Sequence, residues 1–113
     1  MATSYSNFMA PTVLTTSAAD LVLVPASPST TLLRGGRMRL TNTTASAVTA
    51  TLYAVPAAGT ASSGNAFVPA KSIPGNDYLD VDIPIMPAGS KVQGLASAAT
   101  SITAHMLSGS LFS

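Results

Sequence analysis

Arg37–Val55 has the sequence RMRLTNTTASAVTATLYAV, and the fold prediction starts from it. Before its polar NTTAS run, Met38 and Leu40 alternate with arginine and threonine; after the run, valine, alanine and leucine alternate with threonine and tyrosine. Alternation rich in β-branched residues is typical of strands with one buried face, and Asn, Thr and Ser favour a turn between them. The stretch therefore predicts an antiparallel hairpin.

Similar short segments recur along the chain and are separated by glycine, proline and asparagine. The further predicted strands are Thr12–Thr16, Asp20–Val24, Thr30–Leu33, Lys71–Ile73, Tyr78–Ile83, Lys91–Ala96 and Ile102–Phe112. Apolar residues nowhere recur at helical spacing over ten residues or more, so no helix is expected. The pattern predicts an all-β chain forming a single antiparallel β-sandwich, Ig-like or jelly-roll-like, of about seven or eight strands.

The length of 113 residues indicates one domain. We assign residues 12–113 to the sandwich and residues 1–11 to an extended N-terminal arm. Phe8 and Met9 are large side chains in this otherwise small and polar segment, so they are candidates for docking on a neighbouring subunit. The alternative is a frayed terminus.

Two connecting segments carry expectations of their own. Pro56–Ala70 is small, nearly uncharged and too long for a hairpin turn, which predicts either a crossover between sheets or a protruding loop. Phe67 and Val68 are expected to attach its far end to the core. After the predicted strand Tyr78–Ile83, we expect Ile85 and Met86 to pack under a proline-rich turn.

Charge is scarce in this chain. Charged residues make up 8% of it, against roughly a quarter in ordinary soluble domains, and there is no glutamate or cysteine. A surface of Thr, Ser, Asn and Ala suits a protein whose faces are covered by neighbours in an assembly, the alternative being a monomer with a small-residue surface. The net charge of +1 favours neither nucleic acid nor an acidic membrane surface. With no signal-peptide pattern, we expect synthesis in the cytoplasm.

Residues capable of catalysis or metal binding are few. The one histidine, His105, falls on the predicted outer face of the last strand, where an exposed or interface role is expected. Asp77, Asp80 and Asp82 would suit a weak calcium site, but the EF-hand pattern is absent. Asn42–Thr44 matches a glycosylation acceptor and is interpreted as turn chemistry. We expect no catalytic residue, metal or cofactor.

The arginines form the main charged cluster, because Arg34, Arg37 and Arg39 lie within six residues. Such a cluster can contact nucleic acid, but interleaved aromatic residues are missing. Arg37 and Arg39 are two apart on one predicted strand, as are Asp80 and Asp82 on another. The simpler hypothesis is therefore that these residues pair, across strands or between subunits, and fix strand register and the choice of partner.

Two segments, RLTNTTASAVTATLYAV at Arg39–Val55 and IMPAGSKVQGLASAATSI at Ile85–Ile102, together carry a resemblance. A hairpin with L-T-N-T, followed by a turn and strand with P-A-G-S and L-A-S, resembles small β-sandwich virion proteins of tailed bacteriophages. The resemblance implies a capsid decoration (cement) protein or a neck or tail protein. It implies contacts with the major capsid protein or other virion proteins, self-association with a trimer favoured, and no catalysis or cofactor.

A different class of function stays open beside this one. A carbohydrate-binding β-sandwich used in host recognition would present exposed aromatic side chains beside polar groups. Tyr5, Tyr53 and Tyr78 are the candidates, and the chain has no tryptophan.

Overall fold

A computed structural model of the chain describes residues 3–4, 11–27 and 29–112. Its described part contains ten β-strands and no helix. The strands are β1 (Thr3–Ser4), β2 (Thr12–Val13), β3 (Ala19–Leu23), β4 (Leu32–Asn42), β5 (Val48–Val55), β6 (Ala66–Ile73), β7 (Asp77–Asp82), β8 (Met86–Pro87), β9 (Lys91–Ala96) and β10 (Ile102–Phe112).

The strands form two packed antiparallel sheets, which confirms the predicted all-β sandwich. In the first sheet the order is β1-β10-β4-β7, with β2 also paired to β10 and β8 to β4. In the second sheet the order is β3-β9-β5-β6. Seven of the described strands are five residues or longer, and the other three are two-residue segments at sheet margins.

The core lies between the sheets and is built from the inward positions of the alternating strands. Leu40 on β4 and Leu52 on β5 are fully buried, as the alternation predicts. Gly94 on β9 faces this core, where an added Cβ would lie 2.8 Å from Leu52 and 2.9 Å from Leu21. The other large apolar side chains that are almost completely buried are Leu14, Val22, Leu33, Met38, Val55, Ile73, Val92 and Ile102.

The predicted hairpin between β4 and β5 is wrong in its pairing, although its two strands and their buried faces are correct. β4 pairs with β10 and β7, whereas β5 pairs with β9 and β6, so the connection crosses from one sheet to the other. The turn residues 43–47 form a corner of the sandwich. Alternation selects a buried face within each strand, and it does not select the strand's partner.

Asn42 holds this corner together from a fully buried position. Its side-chain amide donates hydrogen bonds to the carbonyls of Ser46 at 2.8 Å, Ile73 at 3.0 Å and Pro74 at 3.2 Å. Its Oδ1 accepts from the Thr44 amide and hydroxyl at 3.0 and 2.7 Å. The NTT sequence is therefore turn chemistry, and the Asn42 amide is occupied inside the protein.

Two further expectations about strands need correction. Thr30–Leu33 is not a separate strand, because β4 runs from Leu32 through Gly35 and Gly36, where the pairing with β10 shifts register. Gly35 has φ of 64°, the left-handed conformation that glycine adopts readily. Lys71–Ile73 is the end of β6, a strand that begins at Ala66.

The connections differ from expectation as well. Residues 56–65 stay within one sheet, joining β5 to β6 as a long hairpin loop, so the crossover alternative for Pro56–Ala70 is wrong. Val68 is buried and Phe67 packs against the core, as expected. Met86 is buried, but Ile85 is 67% exposed and does not pack under the turn.

The predicted arm is partly a strand. Thr3 and Ser4 pair with Phe112 and Leu111 at the end of β10, so β1 belongs to the first sheet of its own chain. Phe8 and Met9, the predicted docking residues, lie outside the described residues. The described part of the chain also contains no helix of a length and apolarity that would span a membrane.

Candidate interaction surfaces

The predicted arginine and aspartate residues face each other on the outer surface of the first sheet. The strand register places Arg39 opposite Asp80 and Arg37 opposite Asp82 on β4 and β7. Arg39 donates from Nε to Asp80 Oδ1 at 2.7 Å and from a terminal nitrogen to Oδ2 at 3.0 Å. This bidentate geometry is the strong form of an arginine–carboxylate pair. The pairing hypothesis is therefore confirmed within the chain, between neighbouring strands.

The second pair in this Arg–Asp ladder (Arg37, Arg39, Asp80 and Asp82) is looser. The Arg37 guanidinium lies 3.9 Å from Asp82 and also 3.9 Å from Asp80. The side chains of Arg37 and Asp82 are 54% and 91% exposed, compared with 18% for Asp80. The Arg39–Asp80 pair is thus tightly hydrogen-bonded, whereas Arg37 and Asp82 are exposed to solvent.

Arg39 also lies over an aromatic ring. Its guanidinium carbon is 4.1 Å from the centroid of the Tyr78 ring, a cation–π geometry. The hydrogen bond from Arg39, together with its positive charge, lowers the pKa of the Asp80 carboxyl below its ordinary value, against a partial opposing effect of burial. The same hydrogen bond raises the pKa of Arg39. Both residues are therefore held in their charged forms.

Arg34 belongs to the same strand but not to the ladder. It lies opposite Ser110 of β10, beyond the Gly35–Gly36 bulge, and its side chain is exposed. Arg34 is three residues from Arg37, so it falls outside the two-residue spacing that Arg37 and Arg39 share. Five of the predicted interaction residues are described by the structure. It brings four of them together in the Arg–Asp ladder and places Arg34 elsewhere on β4.

The second sheet carries a smaller charged group on its outer surface. Lys91 Nζ on β9 lies 3.6 Å from Asp20 Oδ1 on β3, and Gln93 donates to the same oxygen at 2.6 Å. Here too the charges neutralise each other across neighbouring strands. Neutral side chains such as Thr49 and Thr51 on β5 alternate with the buried positions of this sheet.

An uncharged surface covers one end of the sandwich, and we call it the apolar end. It is made by the loops 24–27, 56–59 and 83–90, which contain no charged residue. The Gly89 amide donates a hydrogen bond to the Val24 carbonyl at 3.1 Å, and a Cβ on Gly89 would lie 3.2 Å from Ala57, so the three loops meet. Its exposed residues are Pro25, Ala26, Ser27, Pro56, Ala57, Ala58, Pro84, Ile85 and Pro87.

A groove of about 190 Å³ opens on the apolar end, between the end of β5 and the connection from β7 to β8. Pro56, Pro84 and Pro87 contribute rigid walls, and Ile85 stands exposed at its side. Proline rings lose little conformational freedom on binding, which favours contact with a partner. The sequence pattern missed this site because period-two alternation does not extend into irregular segments; the clustering of prolines was the available signal.

The remaining candidate residues are dispersed. His105 lies on the outer surface of the first sheet, opposite Arg39, and is half-buried. Among the described residues, no group of three or more His or Asp side chains is arranged to hold a metal ion. Of the tyrosines proposed for sugar binding, Tyr78 is 53% exposed and Tyr53 is half-buried, while Tyr5 lies outside the described residues.

Comparisons of this chain with protein-family models, with curated proteins and with solved structures find no match. The proposals below therefore depend on the surfaces described above and on the resemblance of the two quoted segments.

Proposed function

We propose that the protein is a structural component of a tailed-bacteriophage virion, most specifically a capsid decoration protein that binds the outer shell. The observation that carries this proposal is the apolar end. Exposed apolar surface rimmed by polar residues is a recurrent feature of protein–protein contact sites. The proposed partner is the major capsid protein or another virion protein that presents an uncharged apolar surface, and the proposed location is the virion, after synthesis in the host cytoplasm.

Binding of many copies to one shell would make such a contact effective in stabilising the particle. A shell presents many identical sites, so a modest affinity at each site stabilises the whole particle when many copies bind. The rigid prolines around the groove limit the entropy that each copy loses on docking. The proposed role requires no catalysis and no cofactor, and it is compatible with a monomer as well as with a self-associated protein. A trimer stays the expectation from the resemblance.

The test is co-sedimentation of the purified protein with purified capsids. Ile85→Asp puts a charge beside the groove and should reduce the bound fraction at least about tenfold, since burying an unpaired charge at a contact is costly. Ala99→Asp adds the same charge to the exposed residues 97–100 at the opposite end of the sandwich and should bind as the wild type does. Equal binding by both variants, or no binding by the wild type, would contradict the proposal.

Two alternatives are distinguished by related measurements. A neck or tail protein would co-sediment with mature particles but not with isolated capsids. A carbohydrate-binding module is favoured by Tyr78, which is exposed beside Thr41 and Asp80 on the outer surface of a sheet. Binding of the isolated protein to a glycan array, lost in Tyr78→Ala, would support this second function.

A further inference from the structure

The outer surface of the first sheet has exposed apolar residues as well as the Arg–Asp ladder. Five large hydrophobic side chains are prominently exposed in the described part of the chain, and three of them lie on this sheet. Val13 and Tyr78 stand at the two ends of one cross-strand row, whose middle is Thr103 and Thr41. Leu107 is exposed at the bulge of β10. We call this surface the ladder face.

The charges on the ladder face are separated by strand. The arginines project from β4 and the aspartates from β7, so a positive row lies directly beside a negative row. Two neighbouring rows of opposite sign can complement a second, identical pair of rows. Arg37 and Asp82 are only 3.9 Å apart at their closest and remain well exposed, so both can accept a further partner without leaving each other.

We infer that the ladder face binds a second copy of this chain in a two-fold symmetric, face-to-face contact. A two-fold axis parallel to the strands and midway between β4 and β7 places β4 of each copy over β7 of the other. Arg37 of each copy then faces Asp82 of its partner, and both contacts form at once. Stacked sheets lie about 10 Å apart, a gap that an arginine and the aspartate facing it span together.

Charge complementarity selects this arrangement over others on the same face. A two-fold axis perpendicular to the strands would place arginine over arginine. Pairing of two β7 edges would bring the aspartate rows together, which is repulsive. Nucleic acid is not favoured either, because the aspartates neutralise the arginines on this face. The inference builds on the self-association that the resemblance implies, and it gives a two-fold dimer in place of the expected trimer.

Charge reversal in separate copies tests the contact. Arg37→Asp leaves two facing aspartates on each side of a homodimer, and Asp82→Arg leaves two facing arginines. Each variant alone should dimerise at least about 100-fold more weakly than the wild type. An equimolar mixture should form a heterodimer, because every aspartate of one variant then faces an arginine of the other. The measurement is analytical ultracentrifugation of the full chain over a range of concentrations.

Controls keep the result interpretable. Lys71→Asp makes the same charge change on the exposed part of β6, away from the ladder face, and should dimerise as the wild type does. Circular dichroism and cooperative thermal unfolding establish that each variant is folded. A mixture that stays monomeric, a wild type that is monomeric or trimeric, or an Arg37→Asp variant that dimerises normally would overturn the inference. Capsid binding by a monomer or trimer would overturn the inferred dimer while leaving the proposed function intact. A dimer that binds neither capsids nor virions would support the inferred contact and contradict the proposed function.

Discussion

At the scale of single residues, Asn42 shows how much one buried polar side chain can organise. Its amide group satisfies three backbone carbonyls, and its carbonyl oxygen accepts two hydrogen bonds from Thr44. These carbonyls belong to two separate parts of the chain, the corner 43–47 and residues 73–74 at and just after the end of β6. Buried backbone groups need such partners, because water cannot replace them in the interior.

Replacing Asn42 should therefore cost more than replacing an asparagine in an exposed loop. Asn42→Ala is expected to lower the free energy of unfolding by about 3 kcal/mol, because several buried backbone groups lose their partners. Asn65→Ala, which removes two hydrogen bonds in the exposed loop 56–65, should cost about 0.5 kcal/mol because water replaces them. Urea denaturation of both variants measures the difference, and equal costs would contradict this account of Asn42.

At the scale of elements, the corner 43–47 is fitted against the turn 74–76. The Asn76 amide donates to the Thr44 carbonyl at 2.9 Å, and Asn76 has φ of 54°, a conformation that asparagine tolerates better than most residues. Gly75 packs directly on the backbone of Ala45 and Ser46, with no room for a side chain. The connection between the two sheets therefore has one defined position.

Gly75→Ala tests this fit. The added Cβ would overlap the Ala45 carbonyl, which is backbone and cannot rotate away, so we expect a loss of about 3 kcal/mol in unfolding free energy. Gly64→Ala is the matched control, because the nearest atom to its Cβ would be Ser62 Oγ at 3.7 Å. The control should be neutral in thermal unfolding, and an equally neutral Gly75→Ala would show that the corner is loosely packed.

The ladder between β4 and β7 predicts a dependence of stability on pH. Because Arg39 lowers the pKa of Asp80 in the folded chain, the unfolded chain binds the proton more readily. This stabilisation is complete above the ordinary aspartate pKa of about 4 and is lost as the pH falls through the lowered value. Asp80→Asn should destabilise the protein at pH 7, and the difference from the wild type should shrink towards pH 2.

Thermal unfolding between pH 2 and pH 7 measures this effect. Arg39→Met removes the other partner and should give a similarly flattened profile, with no further loss when combined with Asp80→Asn. Additive losses in the double variant would mean that the two residues act separately, in spite of their bidentate geometry.

At the scale of the whole molecule, the sandwich measures 45 × 26 × 17 Å along its principal axes. Its length separates the apolar end from the corner 43–47, while the ladder face occupies a broad side. A contact with a shell and a contact with a second copy would therefore use different surfaces and could form together. Each proposed contact therefore has a surface of its own: the apolar end for the shell and the ladder face for the second copy.

Self-association through the ladder face also predicts that stability depends on concentration. A folded dimer that does not bind the unfolded chain raises the thermal midpoint as protein is added. The wild type should show this increase over a hundredfold range of concentration, measured by scanning calorimetry. Arg37→Asp should show a constant midpoint, and an increase of the same size in that variant would exclude the ladder face as its origin.

The sequence by itself determined most of the longer strands and their buried faces, and it indicated that the ladder charges pair. Alternation is a local property, so the burial of Met38 and Leu40 and the outward direction of Arg37 and Arg39 follow from spacing alone. Matching two-residue spacings on β4 and β7 then predicted the ion pairs, and the register confirms them. The strand Lys91–Ala96 was likewise predicted with its observed bounds.

Only the tertiary structure decided which strands lie side by side. A five-residue connection between β4 and β5 permits either a hairpin or a crossing to the opposite sheet, and in the observed crossing Asn42 bonds to carbonyls more than thirty residues away. The exposure of Ile85 and the meeting of three loops at the apolar end also depend on contacts distant in sequence. Strand faces are set by neighbouring residues, whereas strand partners and loop surfaces are set by the packing of the whole chain.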